Sequence, residues 1–143
     1  MWINRICMLC FLGINSGIDY KTKLINIKLV IIFGVCGLIW NMGYRQITIG
    51  SLVCGAGIGM GMLAVSKITR DSLGFGDGLI LIVTGIYLGF WKNIEMLLAG
   101  LIFSAIVSIY LLVFKKVQKK KKIPFIPFLF LAYICMLCTE LYG

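Results

Sequence analysis

The sequence contains no histidine, so the commonest general base and the commonest metal ligand are both missing. Five carboxylates, Asp19, Asp71, Asp77, Glu95 and Glu140, are left to carry proton chemistry. Two of them have a distinctive setting. Asp19 follows an apolar run and opens the stretch Asp19-Tyr20-Lys21-Thr22-Lys23, while Asp77 closes Gly74-Phe75-Gly76-Asp77 ahead of another apolar run. Two carboxylates in one site cannot both ionise comfortably and hold a single proton between them. The ionised member then takes a proton from a bound water, which attacks a peptide carbonyl. The protonated member donates to the carbonyl oxygen, and a proton later reaches the leaving amine. Gly74 and Gly76 leave space for an extended peptide beside Asp77. A proton relay, or a helix cap at Asp77, would use the same residues, and the residues alone leave these readings open. Asp71, within Thr69-Arg70-Asp71-Ser72, reads as a helix cap or loop residue with Arg70 as partner.

The elements that must position these residues are apolar. Of 143 residues, 61% are hydrophobic and 13% charged, which excludes a water-soluble domain. No strict alternation points to a β-barrel. Six hydrophobic spans follow, at about 2–18, 29–44, 47–65, 73–91, 96–114 and 123–140, so the whole chain, 1–143, is expected to be one all-α, six-helix membrane bundle. The first stretch lacks a long basic region and a small-residue cleavage site and reads as a retained span. The fourth is the informative one. Leu79 to Trp91 covers ~20 Å of helix, too little for a ~30 Å hydrocarbon layer, so the span must begin near Leu73 and draw Asp77 inside.

Net charge is +9. Lys21, Lys23, Lys28, Lys67, Arg70 and the six lysines of Lys115 to Lys122 fall after spans one, three and five; Arg5, Arg45 and Lys92 fall on the other side. That asymmetry places the first group in the cytoplasm, both termini outside, and Asp19 and Asp77 at the cytoplasmic boundary.

The pattern Gly-x-Gly-Asp at a membrane helix start resembles the intramembrane aspartyl proteases. Its neighbours make it similar to the type IV prepilin peptidases: Asp19 to Asn26 looks like that family's Asp, basic, Ile-Pro-Asn pattern, and Ile123-Pro124-Phe125-Ile126-Pro127-Phe128-Leu129 like its late Pro-Phe-x-Pro-Phe segment. The resemblance covers nearly the whole chain. It implies a prokaryotic plasma-membrane endopeptidase that cuts the short basic leader from type IV or Flp-type prepilins or pseudopilins at the cytoplasmic face. Asp19 and Asp77 match the two catalytic aspartates, and no cofactor is implied. Asn26 stands where the pattern has its proline, and Leu79 where a lysine is common. The long forms carry a cytoplasmic zinc domain between their first two spans; here only Asp19 to Lys28 connects them, so N-methyltransferase activity is not expected. The reading from another class is a small proton-coupled transporter, or a non-catalytic membrane assembly factor, using the same aspartates; no internal inverted repeat supports a transporter.

Other features read structurally. Lys115 to Lys122 has no interleaved aromatics, so it is an anchor meeting anionic lipid rather than a nucleic-acid site. Gly55, Gly57, Gly59 and Gly61 permit close helix packing. The two Cys-Met-Leu-Cys tetrads, Cys7 to Cys10 and Cys135 to Cys138, lie within spans and read as small hydrophobes with no metal. Pro124 and Pro127 suit a helix start, and the irregular backbone there also offers polar groups to an extended substrate. The topology is checked by reporter fusions. A reporter after Gly143 is expected to be active outside the cytoplasm and one within Lys115 to Lys122 inside; the reverse pattern would move both aspartates to the outer face.

Overall fold

The computed structural model describes residues 2–22, 25–44, 47–68, 75–114 and 124–142. They form five helices: α1 (Trp2–Thr22), α2 (Ile27–Tyr44), α3 (Ile49–Ile68), α4 (Phe75–Phe114) and α5 (Ile126–Tyr142). Helices α2, α3 and α4 are long and apolar enough to cross a membrane, and α5 is a shorter apolar helix. Buried positions on α2 are confined to Val30, Gly37 and Asn41, while Ile31, Ile32, Val35 and Ile39 are exposed. An apolar surface of that kind is what a lipid-facing helix presents.

The fourth helix departs from the expected pair of spans. It is 40 residues long, ~60 Å if straight and about twice the hydrocarbon thickness. It is not straight. Gly89 has φ 74° and ψ −174°, a left-handed backbone that only glycine adopts at little cost. Asn93 Nδ2 donates to Leu81 O at 3.1 Å although 12 residues separate them, a separation of ~18 Å on an unbroken helix. The chain therefore reverses at Gly89, and two arms, 75–88 and 90–114, lie side by side. The expected link near residues 92–95 is in fact helical. Lys92 pairs with Glu140, Asn93 is buried and Glu95 is exposed, so none of these polar residues has to leave the helix.

The reversal is clamped from two sides. Thr84 Oγ1 donates to Asn93 Oδ1 at 2.7 Å, and Asn93 Nδ2 also reaches Gly55 O on α3 at 3.0 Å. Ser51 Oγ accepts from Phe90 N at 3.0 Å, which satisfies an amide that the break at Gly89 releases. Along α3, a Cβ at Gly59 would lie 2.7 Å from Gly78 O, and one at Gly55 2.8 Å from Gly85 O. These backbones touch, so α3 runs antiparallel to the first arm with no room for a side chain between them.

The remaining helices close the bundle. Gly37 and Gly34 of α2 receive Tyr87 and Val83 of α4, respectively, and the Tyr87 hydroxyl donates to Phe33 O at 3.0 Å. Helix α5 packs along α1, with Phe130 over Gly13, and along the second arm, with Leu129 over Gly100. Phe11, Leu12, Ile80, Leu81, Met96 and Leu129 are fully buried where these helices meet.

Gly59→Val forces a branched side chain into the Gly78 and Ile82 backbone and is expected to cost about 3 kcal/mol or more, the upper end for overpacking. Gly57 has nothing within 4 Å of a Cβ, so Gly57→Val should remain near the unmodified protein. The fraction of monodisperse protein after detergent extraction, followed through a thermal ramp, distinguishes the two.

Candidate active site

Helix α1 places Asn15 and Asp19 on its inner stripe. Met8, Phe11, Leu12, Asn15 and Asp19 are all buried, and they recur at the three- and four-residue spacing of one helix face. Asp19 is 7% exposed. It lies inside α1 rather than at its end, because the helix continues to Thr22, where the threonine Oγ1 bonds back to Ile18 O at 2.9 Å.

Asp77 is the third residue of α4, a first-turn position where unpaired backbone N–H groups suit an acidic side chain. It is half-buried, and Asp19 lies within coulombic reach of it. Two carboxylates 58 positions apart in sequence thus share one end of the bundle.

The segment after α1 helps to seat them. A Cβ at Gly76 would collide with Ile25, so the side chain following the Asp19 motif packs onto the glycine preceding Asp77. Asn26 caps α2: its Oδ1 accepts from Lys28 N at 3.2 Å, and its carbonyl accepts from Val30 N at 3.2 Å. In place of a proline, this asparagine starts the helix through its side chain. The connection between α1 and α2 is four residues long, 23–26.

The other expected site residues divide. Gly76 stands next to Asp77, and Ile25 occupies the space that a side chain there would take. Gly74, Asp71 and the run Lys115 to Lys122 lie outside the described residues. Pro124 precedes α5, and Pro127 is its second residue, where a missing N–H breaks no helical bond. Between them Ile126 is fully buried. Because α5 runs antiparallel to α1, this start of α5 belongs to the end that carries Asp19.

Sequence reasoning passed over Asn15 and Asn93. Asn15, one turn before Asp19, is 1% exposed. Its Nδ2 donates to Phe11 O at 2.8 Å, and its Oδ1 has no hydrogen-bond partner among the described residues. Asn93 holds the α4 reversal. The available signal was an amide inside an apolar run, where burial without a partner is costly and so marks a specific contact.

The model of the type IV leader peptidase family matches residues 6–139, from α1 through α5. The chain belongs to that family. It is also 33% identical over 95 residues to the prepilin leader peptidase/N-methyltransferase of Escherichia coli (strain K12), covering 62% of this chain and 42% of the relative. The chain thus matches less than half the length of that relative. No solved structure matches it.

Among the described residues, no three or more cysteine or acidic side chains converge as a metal site. Cys10, Cys135 and Cys138 are exposed on the helix surfaces, and Cys7 is partly buried. Replacing all four by alanine is expected to leave the peptidase active and its fold intact. Metal analysis of the purified protein checks the same point, since stoichiometric zinc lost from the quadruple variant would assign the tetrads a ligand role.

Proposed function

We propose that this leader peptidase family member is an intramembrane aspartyl endopeptidase, with Asp19 and Asp77 as its catalytic pair. The observation that carries the reading is the approach of these two carboxylates at one end of an apolar bundle, with Ile25 packed on Gly76 between their motifs. The substrate class is the prepilins or pseudopilins, cut behind a short basic leader at the cytoplasmic membrane face. The charge asymmetry of the sequence supports that face, both termini lying outside. With the two arms of α4 counted separately, the chain crosses the prokaryotic plasma membrane six times.

The mechanism follows from the pair. One carboxylate, ionised, accepts a proton from water as the water oxygen bonds to the scissile carbonyl carbon. The other, protonated, donates to the carbonyl oxygen. Collapse of the tetrahedral intermediate breaks the C–N bond, and the nitrogen leaves with a proton from the pair. The substrate must unwind locally, because a helical peptide bond is shielded by its own hydrogen bonds. Gly74, with Ile25 already filling the space beside Gly76, gives the extended segment access to Asp77, and the non-helical backbone at Pro124, ahead of Pro127 in the first turn of α5, offers it polar groups. The chemistry needs no cofactor. The methyltransferase step carried in the relative's name is not expected of this chain, since four residues between α1 and α2 hold no zinc domain. The lysine-rich loop from Lys115 to Lys122 meets anionic lipid and would repel a basic leader.

Asp19→Asn and Asp77→Asn are each expected to lower conversion of a coexpressed prepilin by on the order of 10³-fold or more, with the double variant little worse. Membrane-inserted protein should stay at its normal level. Asp71→Asn should keep most activity, because asparagine also caps helices. The pH–rate profile should be bell-shaped, both limbs belonging to the pair. Precursor and mature forms are separated on a gel, and the new N-terminus is sequenced. Normal processing by the double variant would replace the protease assignment with a relay or assembly role.

A further inference from the structure

At the end of the bundle opposite Asp19 and Asp77, helices α1, α4 and α5, with Ile47 ahead of α3, line an open cavity of about 370 Å³. That is within the ~300–1,000 Å³ usual for small-ligand sites. Its floor is apolar, formed by side chains such as Met8, Leu88 and Met136. Its rim is charged. Arg5 Nη2 pairs with Glu140 Oε2 at 2.8 Å, and Lys92 Nζ pairs with Glu140 Oε1. Arg5 and Glu140 side chains are only 23% exposed, so solvent screens them incompletely.

Two cations meet one carboxylate, and the trio keeps a net charge of +1. A guanidinium and an ammonium carry about eight N–H donors, whereas a carboxylate has about four lone-pair sites. Lys92, whose ammonium carries three donors and meets one Glu140 oxygen, keeps N–H groups for this cavity. Tyr133 adds an independent sign. It lines the cavity and is 1% exposed. Its hydroxyl lies within coulombic reach of Arg5 and Glu140, yet makes no hydrogen bond among the described residues.

The position of the cavity selects the ligand. Arg5 is near the start of α1, Glu140 near the end of α5, and Lys92 just past the Gly89 reversal. In a membrane-spanning bundle, helix ends sit at headgroup depth, with the apolar floor toward the acyl chains. We propose that this cavity binds the phosphate headgroup of an anionic phospholipid, with Lys92 and the Tyr133 hydroxyl as donors and the Arg5 charge adding to the attraction. A zwitterionic headgroup carries its own cation, which the excess positive charge disfavours. The site is remote from the carboxylate pair and stands whether or not that pair is catalytic.

The test is native mass spectrometry of the detergent-solubilised full chain, titrated with phosphatidylglycerol or phosphatidylcholine. The unmodified protein is expected to retain one phosphatidylglycerol in preference to phosphatidylcholine. Lys92→Gln, at a half-exposed side chain, should reduce that preference about fivefold, the factor for one basic group near an anionic lipid. Tyr133→Phe should weaken retention without lowering thermal stability. Glu140→Gln raises the trio to +2 and should strengthen retention, whereas an ion cluster serving only to tie the helices together would lose both stability and lipid. Equal retention of the two lipids, or indifference to Lys92→Gln, would overturn the proposal. So would binding of inorganic phosphate alone that displaces the lipid with the same residue dependence, since the site would then serve free phosphate.

Discussion

The reversal of α4 at Gly89 is the constraint on which the remaining architecture rests. A positive φ at one glycine turns a run of 40 residues into two arms, and the Asn93 side chain ties the arms together by bonding to Leu81 O and Gly55 O. An amide in an apolar interior cannot turn to water, so its bonds specify one arrangement rather than merely adding to stability. Glycine is required a second time, on α3, because Asn93 reaches Gly55 only if α3 and α4 touch backbone to backbone. In lipid there is no hydrophobic drive between helices, and this close contact supplies the attraction in its place.

Once α3 and the two arms are joined, the other helices have defined seats. Helix α2 lays Gly34 and Gly37 against Val83 and Tyr87, running parallel to the first arm. Helix α5 fills the space between α1 and the second arm. Because α1 is antiparallel both to α5 and to the first arm, its polar ends face different neighbours. Asp19 meets the start of α4, and Arg5 meets the end of α5. The same packing thus separates the Asp19 carboxylate from the Arg5 and Glu140 pair by ~21 Å of helix, the rise from residue 5 to residue 19.

Several of the buried polar groups have a local reason. Thr84 and Asn93 satisfy one another. Asn41 Oδ1 accepts from Ile47 N at 3.2 Å, tying the end of α2 to the residues that lead into α3. Ser51 takes up the amide freed by the Gly89 break. Asn15 differs: one of its polar atoms is satisfied within α1 and the other is not paired among the described residues. It sits a turn from Asp19 on the same buried stripe, so the polar character of that stripe extends inward from the carboxylates.

The sequence by itself determined the helical membrane class, the approximate positions of α1, α2, α3 and α5, and the two acidic motifs that the family match encompasses. These were legible because hydrophobic run length and short-range spacing are local properties of the chain. It placed the boundary between the fourth and fifth spans a few residues late, around Lys92 to Glu95, where charged residues normally mark a loop. Tertiary structure decided otherwise, since Glu140 pairs with Lys92 and the Asn93 amide is satisfied by Gly55 and Leu81, partners 38 and 12 positions away. Only the fold could put Asp19 beside Asp77, set Ile25 on Gly76, and gather Arg5, Lys92 and Glu140 around one cavity. Those are contacts between residues far apart along the chain, and periodicity within a single helix carries no information about which helix its polar face will meet.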